Sequence, residues 1–318
     1  MNKKSFYDKP WLSITDQINL LEEKGMIIND YDKAKSSLSI IGYYRLSAYW
    51  HVFRQTAPHN KQVLLDSFHA NTTFEDALNL YLFDKKLRLH ILDALESIEV
   101  AIKVDIAHTL GEVDQFAHLR TGFLNKRALS VSPTGQSKSS KWLSTFKRLE
   151  GRSKEDFVKH FQSNYSGELP IWIAVEIWDF GSLSTFYSII LRRFQTKIAA
   201  KYGLSDPEVF ASWLRSLNYL RNLVAHHSRL WNRNIVDQPK MIKSLQCGWW
   251  QAFNTEPHLR SKPFLLFAIL RHMTLQISPQ TEWHKSLETI LLDFPLQDSD
   301  LKRTINDIGI PRDWKAWW

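Results

Sequence analysis

The residues best equipped for chemistry lie together in the stretch LRNLVAHHSRLWNR, positions 220–233. It holds Arg221, Arg229 and Arg233, the adjacent His226 and His227, and Asn222 and Asn232 among a few apolar anchors. A histidine titrates at about 6.5 when unperturbed, so it can take a proton from a ribose 2′-OH or return one to a leaving 5′-oxygen. A guanidinium is planar and always charged, which suits the phosphorane-like transition state between those two steps. Such a site needs no metal. The 2′-OH is the internal nucleophile, so RNA is cut and DNA resists.

Spacing alone does not select Arg221 and His226, because Arg45 with His51 and Arg54 with His59 offer similar spacings. Adjacent His226 and His227 do not read as a metal pair. Neighbouring helix positions point about 100° apart, and no acidic partner is close in sequence. No cofactor is expected, and phosphate-loop, dinucleotide, zinc-protease and serine-hydrolase signatures are all lacking from the sequence. Residues five apart on a regular helix differ by about 140° in direction. Arg221 and His226 therefore share one phosphate only if the helix ends between them or if two chains each donate part of the site. A blander alternative has Arg221 bonding carbonyls and His226 packed in the core.

The elements that must position these groups read as helices. Apolar residues at Leu80, Phe83, Leu87, Ile91, Leu95, Ile98, Ile102 and Ile106 form one stripe, predicting a helix over 74–110. Thr72 or Thr73 caps it and Gly111 stops it. Asp84, Lys85, Lys86, Arg88, Asp93, Glu96 and Lys103 fall off the stripe. Residues 125–141, NKRALSVSPTGQSKSSK, predict a mobile basic loop, with a helix resuming at Lys141. Helices are expected over 171–178, with Gly181 as the break, and over 182–201. On the latter, Arg193, Lys197 and Lys201 repeat every four residues, forming either a phosphate track or a solvated face, in which case the 125–141 loop is next in line as the RNA track. Pro207 opens a further helix to about His226, with Phe210, Trp213, Leu214, Leu217, Leu220 and Val224 on its core face. A helix pair follows Lys262, and the chain closes on Trp314, Trp317 and Trp318.

Composition fits this reading. In 318 residues there are only 11 Gly and 11 Pro, too few turns for an all-β fold. The single cysteine, Cys247, excludes a disulfide framework. No apolar run approaches the roughly 18–20 residues of a membrane span, and Lys3 and Lys4 are followed by no apolar signal segment. The expectation is a soluble, cytoplasmic protein without membrane attachment. A net charge of +8 favours a polyanion partner, and most of the 13 tryptophans are expected in the core.

Five blocks resemble, in order, those of the Abi-like (abortive infection) bacterial proteins within the HEPN superfamily of RNA-cleaving domains. They are SIIGYYRLSAYWHVFR from Ser39, FDKKLRLHILDALESIEVAIK from Phe83, LPIWIAVEIWDFGSLSTFY from Leu169, the RNLVAHH core from Arg221, and IGIPRDWKAWW from Ile308. The resemblance implies an all-α fold: a HEPN-like helical core over 71–240, carrying the basic loop, between helical regions at 1–70 and 241–318. It implies a metal-independent endoribonuclease toxin leaving 2′,3′-cyclic phosphate ends. Its catalytic residues would be Arg221, Asn222, His226 and His227, in a two-fold homodimer that joins two motifs. Glu99 is the candidate to pair with Arg221 and hold it in place. Arg229, Arg233, Arg193, Lys197 and Lys201 are the candidates to bind RNA, both as substrate and as a restraining non-coding RNA. The competing function is a non-catalytic RNA-binding protein that uses the same stretch as a phosphate clamp.

Overall fold

A computed structural model describes residues 10–133, 135–242, 248–296 and 303–318. Cys247, Lys3, Lys4 and the loop position Thr134 lie outside the described residues. The fold is all-α, with a two-stranded hairpin as the only sheet among the described residues. The chain divides into two compact units, Met1–Leu87 with Thr289–Asp307 and Arg88–Glu288 with Ile308–Trp318.

The first unit opens with α1 (Ile14–Glu23), α2 (Tyr31–Ile41) and α3 (Tyr43–Trp50). Ser13 and Asp30 cap the first two helices by accepting from Asp16 N and Lys33 N. Gly42 joins α2 to α3 at φ 89°, a left-handed conformation that side chains rarely adopt. Here the helical expectation for 1–70 needs correcting. β1 (Arg54–Ala57) and β2 (Asn60–Phe68) pair antiparallel, with Arg54 opposite Phe68, Thr56 opposite Leu64 and a register irregularity on either side of Thr56. Alternation is weak in this hairpin, which hides it from a periodicity reading.

α4 (Phe74–Gly111) follows, and the boundary between the units falls inside it. Every residue of its predicted stripe, from Leu80 to Ile106, is buried. Two residues assigned off the stripe, Asp84 and Arg88, are buried as well. Asp84 accepts a 2.7 Å hydrogen bond from the Tyr49 hydroxyl, which satisfies part of a carboxylate taken out of water.

The second unit continues through α5 (Lys126–Leu129), α6 (Lys138–Arg152), α7 (Asp156–Asn164) and α8 (Ile171–Ala174). Then come α9 (Phe180–Ile189), α10 (Arg192–Lys201), α11 (Pro207–Ala225), α12 (Gly248–Thr255), α13 (Phe264–Ile277) and α14 (Trp283–Leu292), whose last turn belongs to the first unit. Several sequence expectations change here. The basic stretch 125–141 is not one loop. Asn125 caps α5, and a Ser137–Ser140 capping box starts α6 at Lys138. The helix expected over 171–178 is a single turn, α8, extended by a 3-10 turn at Val175–Ile177. Gly181 does not break a helix. Asp179 caps α9 two residues earlier and accepts from Ser182 N. The helix expected over 182–201 is broken at 190–191, because this backbone pairs elsewhere. Asn125 N donates to Ile189 O and Leu191 N to Phe123 O, with a bridge between Leu124 and Ile190. Helical hydrogen bonds at those atoms are exchanged for tertiary ones.

Candidate functional site

α11 is the element that presents the 220–233 stretch. Pro207 occupies its first turn, Asp206 caps it by accepting from Glu208 N, and its apolar face from Phe210 to Val224 is buried. α9 packs along it, with α10 and α13 also in contact. Its C-terminus decides the site. His226 N donates to Asn222 O (3.0 Å), His227 N to Val224 O (3.1 Å) and Ser228 N to Leu223 O (2.9 Å). This is a Schellman termination with His227 at the left-handed position, φ 58°, where glycine is usual. Downstream, Leu230 and Trp231 are fully buried and fix the outgoing chain.

On the last turn of α11 Arg221 is half-buried and Asn222 exposed, and at its cap and the residue beyond, His226 and His227 are exposed. His226 is therefore not a core histidine. The Arg221 guanidinium donates from Nη1 to Asn222 Oδ1 at 3.2 Å, aligning one edge of the arginine with its neighbour. Arg229 and Arg233 are half-buried, and Arg233 Nη1 donates to Arg229 O at 3.3 Å. His226 caps α11 with its N–H still bonded to Asn222 O, so it stays on the helical screw and its separation of about 140° from Arg221 stands; the chain leaves the screw only at His227.

Other expected members of the site are engaged elsewhere. Glu99 pairs with Lys103 at 3.2 Å, one helical turn away, and not with Arg221. On α10, Lys197 pairs with Glu112 at 2.8 Å, and Lys201 with Asp105, which also accepts from the Tyr202 hydroxyl at 2.7 Å. The Arg193 guanidinium lies 4.7 Å from the Phe194 ring centroid. Two of the three ridge cations thus face carboxylates, Asp105 on α4 and Glu112 just past its end, which weakens the ridge as a phosphate track.

A different basic feature includes part of the 125–141 stretch, the second candidate for the RNA track. A cavity of about 650 Å³ borders the first half of α11, lined by Lys126, Arg127, Lys138, Arg192, Arg215 and Lys240 among others. Its sequence signal was the Lys/Ser-rich stretch 125–141, but Arg192, Arg215 and Lys240 join it only through folding. Among the described residues no group of three His, Cys, Asp or Glu side chains is arranged to hold a metal ion, and no helix is long and apolar enough to cross a membrane.

No curated protein and no solved structure matches the chain. A family model does, the one described as Abi-like protein, over residues 36–232. That span runs from the glycine-linked helices of the first unit to the buried Trp231 that anchors the Arg–His stretch, so the chain belongs to the Abi-like protein family.

Proposed function

We propose that the protein is a metal-independent endoribonuclease acting in abortive infection, where it arrests growth of the phage-infected cell. Membership of the Abi-like family supports the defence role. The HEPN resemblance and the chemistry of the 220–233 stretch support the ribonuclease. The observation that carries the reading is the end of α11. His226 and His227 are exposed on a tightly hydrogen-bonded terminus, one turn beyond Arg221 and Asn222.

In this reading His226 moves the proton between the 2′-OH and the 5′-oxygen, and Arg221 neutralises the charge that develops on the phosphorus oxygens. The oxygen freed by deprotonation attacks the adjacent phosphorus, the bond to the 5′-oxygen breaks, and a 2′,3′-cyclic phosphate remains. Asn222 orients the guanidinium through the 3.2 Å hydrogen bond. Arg229 and Arg233 contribute positive charge along the strand. Two chains form a homodimer, on the resemblance and on the separation of about 140° between Arg221 and His226, and a structured non-coding RNA restrains the toxin.

The test is to incubate purified protein with end-labelled total RNA in EDTA and analyse the ends. Cleavage to 2′,3′-cyclic phosphates is expected. RNA retained without cleavage would replace the nuclease by a phosphate clamp.

A further inference from the structure

The cavity beside the first half of α11 carries more charge than structure alone requires. None of residues 220–233 lines it, and its last residue on α11, Arg215, stands six residues before Arg221, roughly 9 Å along the helix at 1.5 Å per residue, so the cavity neighbours the Arg221–His226 site without including it. Three of its six cations have carboxylate partners. Arg192 lies 3.8 Å from Asp206 and 3.9 Å from Glu208, Arg215 lies 2.7 Å from Asp237, and Lys240 lies 2.7 Å from Glu208. These pairs are solvent-exposed and cost little to exchange for another anion. Lys126, Arg127 and Lys138 are exposed and have no ion pair among the described residues. Three carboxylates against six cations leave an excess of positive charge.

The wall is pre-formed. Asn125 accepts from Ala128 N at 2.9 Å and donates to Ser188 O and Ile190 O at 3.2 Å, which fixes α5 against the break between α9 and α10. Among the described residues no aromatic side chain lines the cavity, so none of them stacks on bases there. Cations without stacking platforms grip phosphates and read no sequence.

We propose that this cavity anchors the backbone phosphates of an RNA strand, apart from the site that cuts it. The choice of RNA as the polyanion rests on the ribonuclease reading above. Lys126, Arg127 and Lys138 make the contacts, and the exposed pairs around Glu208 open to extend them. The ridge of Arg193, Lys197 and Lys201 is not the track.

Binding of a labelled oligouridine of about sixteen nucleotides, the upper end of single-strand site sizes, tests this at several salt concentrations in a His226→Ala background. The triple variant Lys126→Gln, Arg127→Gln, Lys138→Gln is expected to lower the slope of log K against log salt by about 2, at about 0.7 per lost phosphate contact. The charge-keeping triple Lys126→Arg, Arg127→Lys, Lys138→Arg should restore it, which excludes misfolding. Replacing Arg193, Lys197 and Lys201 by Gln should change the slope by less than about 0.7. An unchanged slope in the first triple would overturn the proposal. So would loss of inorganic pyrophosphate binding in that triple with the oligouridine slope intact, since the cavity would then serve a small phosphate ligand. Cleavage by the unsubstituted protein is scored separately. Cleavage with an unchanged slope removes the anchor and keeps the nuclease, and a lowered slope without cleavage does the reverse.

Discussion

At the residue scale, the two adjacent histidines at the end of α11 carry different burdens. His226 is exposed and supports no packing, so His226→Ala is expected to cut RNA cleavage by about 10²–10⁴ and abolish toxicity, with the melting temperature nearly unchanged. Unfolding of that variant would make His226 structural. His227 holds a left-handed backbone conformation at φ 58°. His227→Gly should therefore be about 1 kcal/mol more stable than His227→Ala in denaturant titrations, since both lose the ring and only glycine is at ease there. Equal stabilities would show that the turn relaxes. A third histidine was passed over in the sequence. His118 is buried, with its ring 5.3 Å from that of Phe146 and 6.2 Å from that of Trp178, and neither ring nitrogen has a hydrogen-bond partner among the described residues. Burial pushes its pKa down to about 4. The folded state then refuses a proton that the unfolded chain accepts below about 6.5, so stability falls as pH drops from 6.5 towards 4. His118→Phe should flatten that fall by an amount on the order of 3 kcal/mol, read from unfolding midpoints at pH 7 and 4.5. The residue types at 220–233 made the candidate site legible. The partner of Glu99 is a local one that the assignment to Arg221 missed, since Lys103 stands one turn away, whereas Asp105 and Glu112 are too distant in sequence to be assigned to Lys201 and Lys197.

At the scale of elements, legibility followed whether the cause was local. α11 could be read because its cap Asp206, its Pro207 and its apolar stripe are all contained in its own residues. The stripe of α4 was legible for the same reason. The break at 190–191 was not, because it comes from backbone pairing with 123–125, which no local propensity encodes. The C-terminal segment depends on such a distant contact as well. Gly309 lies at φ 90°, and a Cβ there would sit 2.2 Å from Lys262 Cβ. Gly309→Ala is thus expected to destabilise the protein by about 1–3 kcal/mol through combined strain and overlap. Thermal unfolding within a few tenths of a degree of the unsubstituted protein would show that residues 308–318 dock without that close approach.

At the scale of the whole molecule, the net charge of +8 is what remains once pairs such as Lys197 with Glu112, Lys201 with Asp105, Arg215 with Asp237 and Lys240 with Glu208 have cancelled, so it counts positive charge in excess of the carboxylates. The homodimer rests on the HEPN resemblance and on the separation of about 140° between Arg221 and His226, which the cap at His226 keeps. Light scattering on RNA-free protein should give twice the chain mass of 37.3 kDa. A single-chain mass in protein that still cleaves RNA would remove the dimer. The division into two units was hidden by α4, whose uninterrupted stripe gives no mark at Leu87 and Arg88. That division has a practical consequence through the tryptophans. Trp11 and Trp50 belong to the first unit, and all the others, from Trp142 to the rings of Trp314, Trp317 and Trp318 packed near Phe264, belong to the second. Intrinsic fluorescence is thus almost wholly a reporter of one unit, while far-ultraviolet dichroism averages the helices of both. Superimposable denaturation curves from the two signals would mean that the units melt as one cooperative block, and a gap between them would time their separation without any added dye.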